Sequence, residues 1–560
     1  VLLANCYPQN YDQSSLFNAS DPSILVLSKD TIKQTLAQHE SSFVVLFYLS
    51  WCGHCIRFAP VFKKFAEDVR SWNPVLRIGA INCAEVGIED FCSREFNVLS
   101  FPKVKFFEPT KQRNGGIEFT LRSFESPDEI EEKTLKSLND YLSRNRIPES
   151  WPNVNTIEAF SKSDLLSKLP VKKNLPVLLI IEKSDSLLGL KVILDMTAYG
   201  NRVTIFRVNG EAYDLRNTIL PESDTLPVLI RVGKQGEIDL LERGISSLPE
   251  NEIRRKLVAT IDRDFLSSDF QRKQKEDIPQ RAAQVKKVNK IEGIELNVTP
   301  VHYIDLYNAI RYSLYQEIGS HTKLNETQVD VVRRYFQALN DYFPFQNENA
   351  RRFVKRMTEW FNHQTVVTKD QYFAIMKAGS EGYLPAMQLP WRSCEPSMPN
   401  LRGYPCSLWL LFHTLTVSEY THQHMVKKVI KYHSVLRTMR EYVKYFFTCT
   451  YCAEHFVNMA ANLDQELQYP NSSVVWLWKA HNKVNKRLAG DRTEDPKHPK
   501  IQFPSQQQCP KCYTENNEWK ESEVVNFLTK RYQKASIVKN GGQNIAFGLL
   551  SFMSLITYIL

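Results

Sequence analysis

Glycine is scarce in this chain, with 20 among 560 residues, which leaves no room for a hidden low-complexity repeat. No sign of charge dominates. The formal net charge is +9, modest for this length, with Lys and Arg mixed among acids. A basic run such as Lys286, Lys287 and Lys290 reads as a solvated helix face, so nucleic acid is not an expected partner. Cysteine is missing from residues 150–265 and again from 300–390, so neither stretch can perform thiol chemistry. No second cysteine pair lies near Cys52 and Cys55, which argues against a zinc site there, since zinc takes about four ligands. The first residues, Val1-Leu2-Leu3-Ala4-Asn5-Cys6, lack methionine and read as the remnant of a signal peptide.

At 560 residues the chain is too long for one core, and three to five domains are expected. Its 43% hydrophobic and 24% charged content is ordinary for globular protein. Eleven cysteines fall at 6, 52, 55, 83, 92, 394, 406, 449, 452, 509 and 512. Three pairs have CxxC spacing, and 83/92 and 394/406 are spaced as local disulfides tend to be. Sequons stand at Asn18, Asn297, Asn325 and Asn471. Together with paired cysteines they favour an oxidising, secretory compartment. Ile545 to Leu560 is apolar and uncharged. It reads as a membrane segment, with a lipid-anchor signal near Ala535-Ser536 as the alternative.

The chemistry begins where Phe43 to Tyr48, a buried-strand pattern, runs into Trp51-Cys52-Gly53-His54-Cys55 and an amphipathic helix carrying Phe58, Val61, Phe62 and Phe65. Unpaired N–H groups and the dipole at a helix start stabilise a thiolate, here expected on Cys52. Gly53 permits the tight turn. Cys52 and Cys55 can then alternate between dithiol and disulfide. This stretch resembles the thioredoxin superfamily, and its motif is the form seen in protein disulfide isomerases. The resemblance implies that Pro102 is a cis-proline facing the disulfide. Leu46 stands where such domains usually carry a buried acid.

Residues 150–265 repeat the strand and helix pattern without cysteine, with Leu226-Pro227 in the place of Phe101-Pro102. Residues 265–285 are polar and mixed in charge, as in a linker. From 300 the apolar spacing turns helical: Ile304, Leu306, Ile310, Leu314, then Val329, Val332, Phe336 and Leu339. A second centre follows. Trp409 and His413 share a helix face, as do Cys449, Cys452 and His455, and as do Trp478, His481, Asn482 and Asn485. Four thiolates from 449/452 and 509/512 could hold zinc instead, but the intervening gap is long for such a site.

These residues together resemble the Erv/ALR sulfhydryl oxidase domain. With the upstream unit, the chain is similar to the quiescin-sulfhydryl oxidase family. The resemblance implies two α/β thioredoxin-like domains, then all-α helical pseudo-Erv and Erv domains and a C-terminal membrane segment. The expected boundaries are 1–21 (signal remnant), 22–148 (redox-active thioredoxin), 149–268 (cysteine-free thioredoxin), 269–299 (linker), 300–388 (pseudo-Erv), 389–515 (Erv), 516–543 (linker) and 544–560 (transmembrane). It implies Cys83–Cys92 and Cys394–Cys406 as structural disulfides and Cys509–Cys512 as a further one. Electrons would pass from Cys52/Cys55 to Cys449/Cys452, to FAD, and to O2, giving hydrogen peroxide. FAD would be held by Arg402, Trp409, His413, Tyr451, His455, the segment Trp478, Lys479, Ala480, His481, Asn482, Lys483, Val484 and Asn485, and by Lys500 and Phe503. Tyr451 replaces an acid, and Phe503 stands where tryptophan is common. No metal is expected. The partners implied are reduced protein thiols, O2 and a membrane, and the chain is expected to be a monomer of the Golgi membrane, cell surface or extracellular space. The competing readings are a disulfide isomerase without oxidase activity and a membrane-tethered zinc or adhesion protein. A yellow protein with one flavin per chain separates the first reading from both.

Overall fold

A computed structural model describes residues 15–38, 40–85, 91–109, 115–169, 175–220, 225–266, 299–380, 389–426 and 433–539. The unbroken apolar run Phe43 to Tyr48 suits a strand covered on both faces, and all seven residues of Ser42–Tyr48 are buried. This strand is central in a five-stranded sheet whose spatial order is Leu25–Leu27, Leu76–Asn82, Ser42–Tyr48, Lys103–Phe107, Ile117–Glu118. It runs parallel to Leu76–Asn82 and antiparallel to Lys103–Phe107. The chain leaves its C-terminal end and enters helix Gly53–Asp68, with Cys52 as the N-cap and Pro60 inside. Phe58, Phe62 and Phe65 pack that helix onto the sheet. The Phe101–Pro102 peptide is cis, and Cys83 is bonded to Cys92.

The second unit repeats this plan in the order Ile238–Glu242, Val228–Val232, Val177–Glu182, Thr204–Asn209, Thr156–Ile157, and Leu226–Pro227 is also cis. The helix read over Ser186 to Met196 spans Leu188–Asp195. The two units are joined by half-buried charges. Arg254 binds Asp195 at 2.6 Å and Glu131 at 3.0 Å, and the Trp72 indole donates to Asp195 at 2.9 Å.

The C-terminal half is helical. Helices Tyr303–Tyr312, Glu326–Tyr342, Gly403–Val426, Ser434–Phe446, Thr450–Met459 and Ser472–Leu488 carry most of its core. The expected boundary at 388/389 does not divide that core. Leu306, Ile310, Tyr335 and Phe336 share one cluster with Leu408, Leu411 and Tyr442. Residues 516–543, read as a linker, instead carry helix Glu521–Tyr532, which buries Val524, Val525, Leu528 and Tyr532. It packs on Gly403–Val426, and the Val538 N–H then donates to the Val301 carbonyl at 2.8 Å. Its charged exterior hid a four-residue apolar stripe. Among the described residues no helix is long and apolar enough to cross a membrane, and 544–560 lies outside them.

Candidate active site

Cys52 and Cys449 occupy equivalent places on opposite units, each the N-cap of a helix, Gly53–Asp68 and Thr450–Met459. The units dock so that Cys52 Sγ lies 2.7 Å from Cys449 Sγ, which lies 2.6 Å from Cys452 Sγ. Both separations exceed the about 2.05 Å of a disulfide bond and fall short of non-bonded contact. Three sulfurs therefore stand in series.

Backbone groups set this register. The Phe101 N–H donates to the Thr448 carbonyl at 2.9 Å, and the Thr450 hydroxyl donates to the Phe101 carbonyl at 3.1 Å. The segment bearing Cys449 thus adds a short parallel bridge beside Pro102, as an extended peptide adds to a sheet edge. Trp51 enters an aromatic cage. Its indole donates to the Tyr312 hydroxyl at 2.7 Å and packs against Tyr312, Tyr404 and Phe447 with centroids 5.3–5.9 Å away. Gly53 serves the approach, because a β-carbon there would press on Thr493 at 3.3 Å. Arg57 pairs with Asp491 at 3.3 Å and lies 4.8 Å over the Tyr451 ring.

Docking rearranges the electrostatics expected from sequence. Cys52 is 0% exposed, and burial pushes its thiol up rather than leaving the stabilised thiolate that the helix start alone predicts. Burial likewise raises Cys449. Cys452 is lowered instead, by hydrogen bonding from Cys449 and Cys52 and then by the charge of Arg57. In this arrangement negative charge settles at Cys452, at the far end of the sulfur series.

Beside Cys452 opens a cavity of about 980 Å³. Of the residues expected to hold FAD, Arg402, Trp409, His455, His481, Val484, Asn485, Lys500 and Phe503 line it. Trp409 stacks on His481 at 4.2 Å, and His413 Nε2 meets His481 Nδ1 at 3.2 Å. Both imidazoles are held neutral by burial, His481 with its pKa pushed down to about 3. Burial also lowers Lys500 and Arg402. Arg402 Nε, Arg531 Nε and Nη1, and His413 Nδ1 are buried without a partner. Each such group costs roughly 1–3 kcal/mol unless an acceptor arrives. Flat rings beside unsatisfied cationic donors fit a flavin dinucleotide, whose ring system is aromatic and whose pyrophosphate is anionic.

Other expected contacts lie elsewhere. Tyr451 sits at the docking face, against Arg57, His54 and His455. Trp478 and Asn482 both donate to the Phe503 carbonyl, and with Asn485, which lines the cavity and donates to the Ile501 carbonyl, they hold the 501–503 segment that forms one wall. Lys479, Ala480 and Lys483 line a separate surface groove with Tyr469 and Trp476. Their helix presents several faces, whereas the i, i+3, i+4 rule selects one. Sequence reading missed Arg531 and Tyr532, which close the cavity from helix Glu521–Tyr532, with Tyr532 stacked on His413 at 5.0 Å. The helical spacing of Val524, Val525 and Leu528 was the available signal. Cys394–Cys406 and Cys509–Cys512 are bonded, so the four-thiolate alternative does not form. Asn18 and Asn325 are exposed, Asn471 is half-buried, and Asn297 lies outside the described residues.

Comparison with known proteins adds the following. The Erv1 / Alr family matches residues 406–504, thioredoxin matches 23–120, and flavin adenine dinucleotide (FAD)-dependent sulfhydryl oxidase matches 297–397. Sulfhydryl oxidase 1 of Homo sapiens is 30% identical over 551 residues, covering 96% of this chain and 69% of its own. Sulfhydryl oxidase 1 of Cavia porcellus is 29% identical over 544 residues, covering 94% of this chain and 83% of its own. A solved structure, the sulfhydryl oxidase fragment of human QSOX1, is 33% identical, covers 43% of this chain and 98% of its own, and superposes with a TM-score of 0.40.

Proposed function

Because this chain belongs to the sulfhydryl oxidase family, we propose that the four cysteines outside disulfides among the described residues form one relay, running from Cys52/Cys55 to Cys449/Cys452. The protein is an FAD-dependent thiol oxidase. The observation that carries the relay is the 2.7 Å approach of Cys52 Sγ to Cys449 Sγ.

A substrate thiolate attacks oxidised Cys52–Cys55 at Cys52, and a second substrate thiol resolves the mixed disulfide. The reduced unit then docks, guided by Trp51 and the Phe101 bridge. The Cys52 thiolate attacks Cys449, the Cys449–Cys452 bond breaks, and Cys452 leaves with the electron pair. Cys55 attacks Cys52 and frees Cys449. Cys452 lines the cavity, where Arg402, Lys500 and Arg531 supply cationic donors and Trp409 and His481 supply ring faces. FAD supplies the electron acceptor there and the reaction with O2, from which hydrogen peroxide leaves. Burial of His413 and His481 keeps them neutral, so they offer ring nitrogens rather than charge.

Three disulfides and the exposed sequon residues Asn18 and Asn325 support a secretory-pathway location. The apolar run at 544–560 supports a single anchor in the Golgi or surface membrane, and the unbroken core from 301 to 537 supports a monomer. The test is oxygen uptake with a reduced protein substrate. Cys449→Ser and Cys452→Ser should each abolish it, and near-normal turnover in either would defeat the relay.

A further inference from the structure

We propose that Arg57, carried on the incoming thioredoxin unit, supplies the positive charge that stabilises the Cys452 thiolate expelled when Cys52 attacks Cys449. This rests on the relay above and assigns a role within it. In that step the Cys52–Cys449 bond forms and the Cys449–Cys452 bond breaks. The pair leaves on Cys452 Sγ, so the rate follows the stability of that thiolate.

The geometry points to Arg57 for three reasons. Its guanidinium reaches across the docking face to lie 4.8 Å over the ring of Tyr451, the residue next to Cys452 in sequence. It pairs there with Asp491 at 3.3 Å, with both side chains only about a quarter exposed, so solvent screening is incomplete. Of the charges acting on Cys452, it is the leading one after the hydrogen bonds from Cys449 and Cys52. His54, on the same helix turn, cannot replace it, because burial drives its pKa down to about 4 and leaves the ring neutral at pH 7. Arg487 lies 5.8 Å from the same ring, but it belongs to the helical half and is present whether or not the units meet. Of the two cations over the Tyr451 ring among the described residues, Arg57 is the one that arrives with the attacking sulfur. Charge is thus delivered together with the nucleophile, and the cation–π seat on Tyr451 gives the replaced acid position a purpose, since an acid there would oppose the departing thiolate.

The role is separable from docking. Asp491 holds Arg57 but also neutralises it. The experiment uses the full chain with FAD bound, mixed anaerobically with reduced ribonuclease A, and follows single-turnover bleaching of the flavin absorbance. Arg57→Gln should slow bleaching about tenfold, Arg57→Lys should recover most of the rate, and Asp491→Asn, which loosens the seat but leaves the arginine charge in place, should slow it less than threefold. A second readout does not depend on the substrate step. In a Cys55→Ser background, the Cys52–Cys449 mixed disulfide formed in dithiothreitol buffer should fall about tenfold in equilibrium constant on adding Arg57→Gln. If Asp491→Asn slows transfer as much as Arg57→Gln, Arg57 only docks and the proposal fails. If Arg57→Gln changes neither readout, the proposal fails while the relay stands. Flavin bleaching that persists in Cys449→Ser overturns the relay, and this proposal with it.

Discussion

Glu317 shows how one side chain can couple a scaffold to a reaction centre. It sits in the π-helical turn Ser313–Ile318, in the cysteine-free region that sequence marks only as support, and it is fully buried. Its Oε2 accepts the Thr448 N–H at 2.8 Å, one residue before Cys449, while Oε1 has no partner. Burial pushes its pKa up to about 8. The folded chain therefore holds this proton far more tightly than the unfolded chain. The stability associated with it is complete below about pH 4, where both states are protonated. It declines as pH rises toward 8, by an amount on the order of a few kcal/mol. Glu317→Gln keeps an acceptor for Thr448 and removes the titration. Its thermal midpoint should equal that of the unsubstituted chain near pH 4 and exceed it by a widening margin up to pH 8. Parallel midpoints across that range would show that Glu317 does not carry the proton.

The helix Glu521–Tyr532 makes the corresponding point for elements. It ends in Arg531 and Tyr532 on the cavity wall, and Leu528 anchors it with no exposure. Leu528→Ala should cost about 2–5 kcal/mol, the usual range for a buried leucine truncation, and should lower the flavin content of the purified chain. Full flavin occupancy with a destabilised fold would separate the anchor from the cavity. This helix also marks how far the sequence could be read. The sheet strands, the CxxC helix and the pairs 83/92 and 394/406 were legible, because period, motif and spacing are local signals, whereas the cis Phe101–Pro102 peptide was implied only by the thioredoxin resemblance. Glu521–Tyr532 was not, since four apolar residues among charges look alike in a linker and an amphipathic helix. The protein partner of Trp478 and Asn482 was out of reach for a related reason. Helical spacing places them together but cannot say whether they meet a ligand or, as here, the Phe503 carbonyl. The raised Cys52 thiol lay furthest from reach, because its cause is the docking of two units almost 400 residues apart in sequence.

At the scale of the whole molecule, docking and substrate oxidation exclude one another. With Cys52 0% exposed, no protein thiol can reach it while it faces Cys449, so the thioredoxin unit must leave the helical half once per turnover. The contacts holding it are polar and aromatic and suit a reversible seat: a cage around Trp51, a short backbone bridge, His54 and Arg57 against Tyr451, a Lys369–Ser93 hydrogen bond and a partly exposed ion pair. None of these is an extended apolar surface, and the expected 269–299 linker lies, but for its last residue, outside the described residues. A chain carrying Cys55→Ser and Cys452→Ser, closed through a Cys52–Cys449 bond, fixes the docked state covalently. Reduced ribonuclease A should leave that bond intact over hours, whereas a small phosphine reductant should open it. X-ray scattering should then report a larger radius of gyration for the opened chain, because the seat alone does not hold the units together throughout. An unchanged radius, or rapid opening by the protein thiol, would mean that substrate reaches Cys52 in place and that no such excursion is needed.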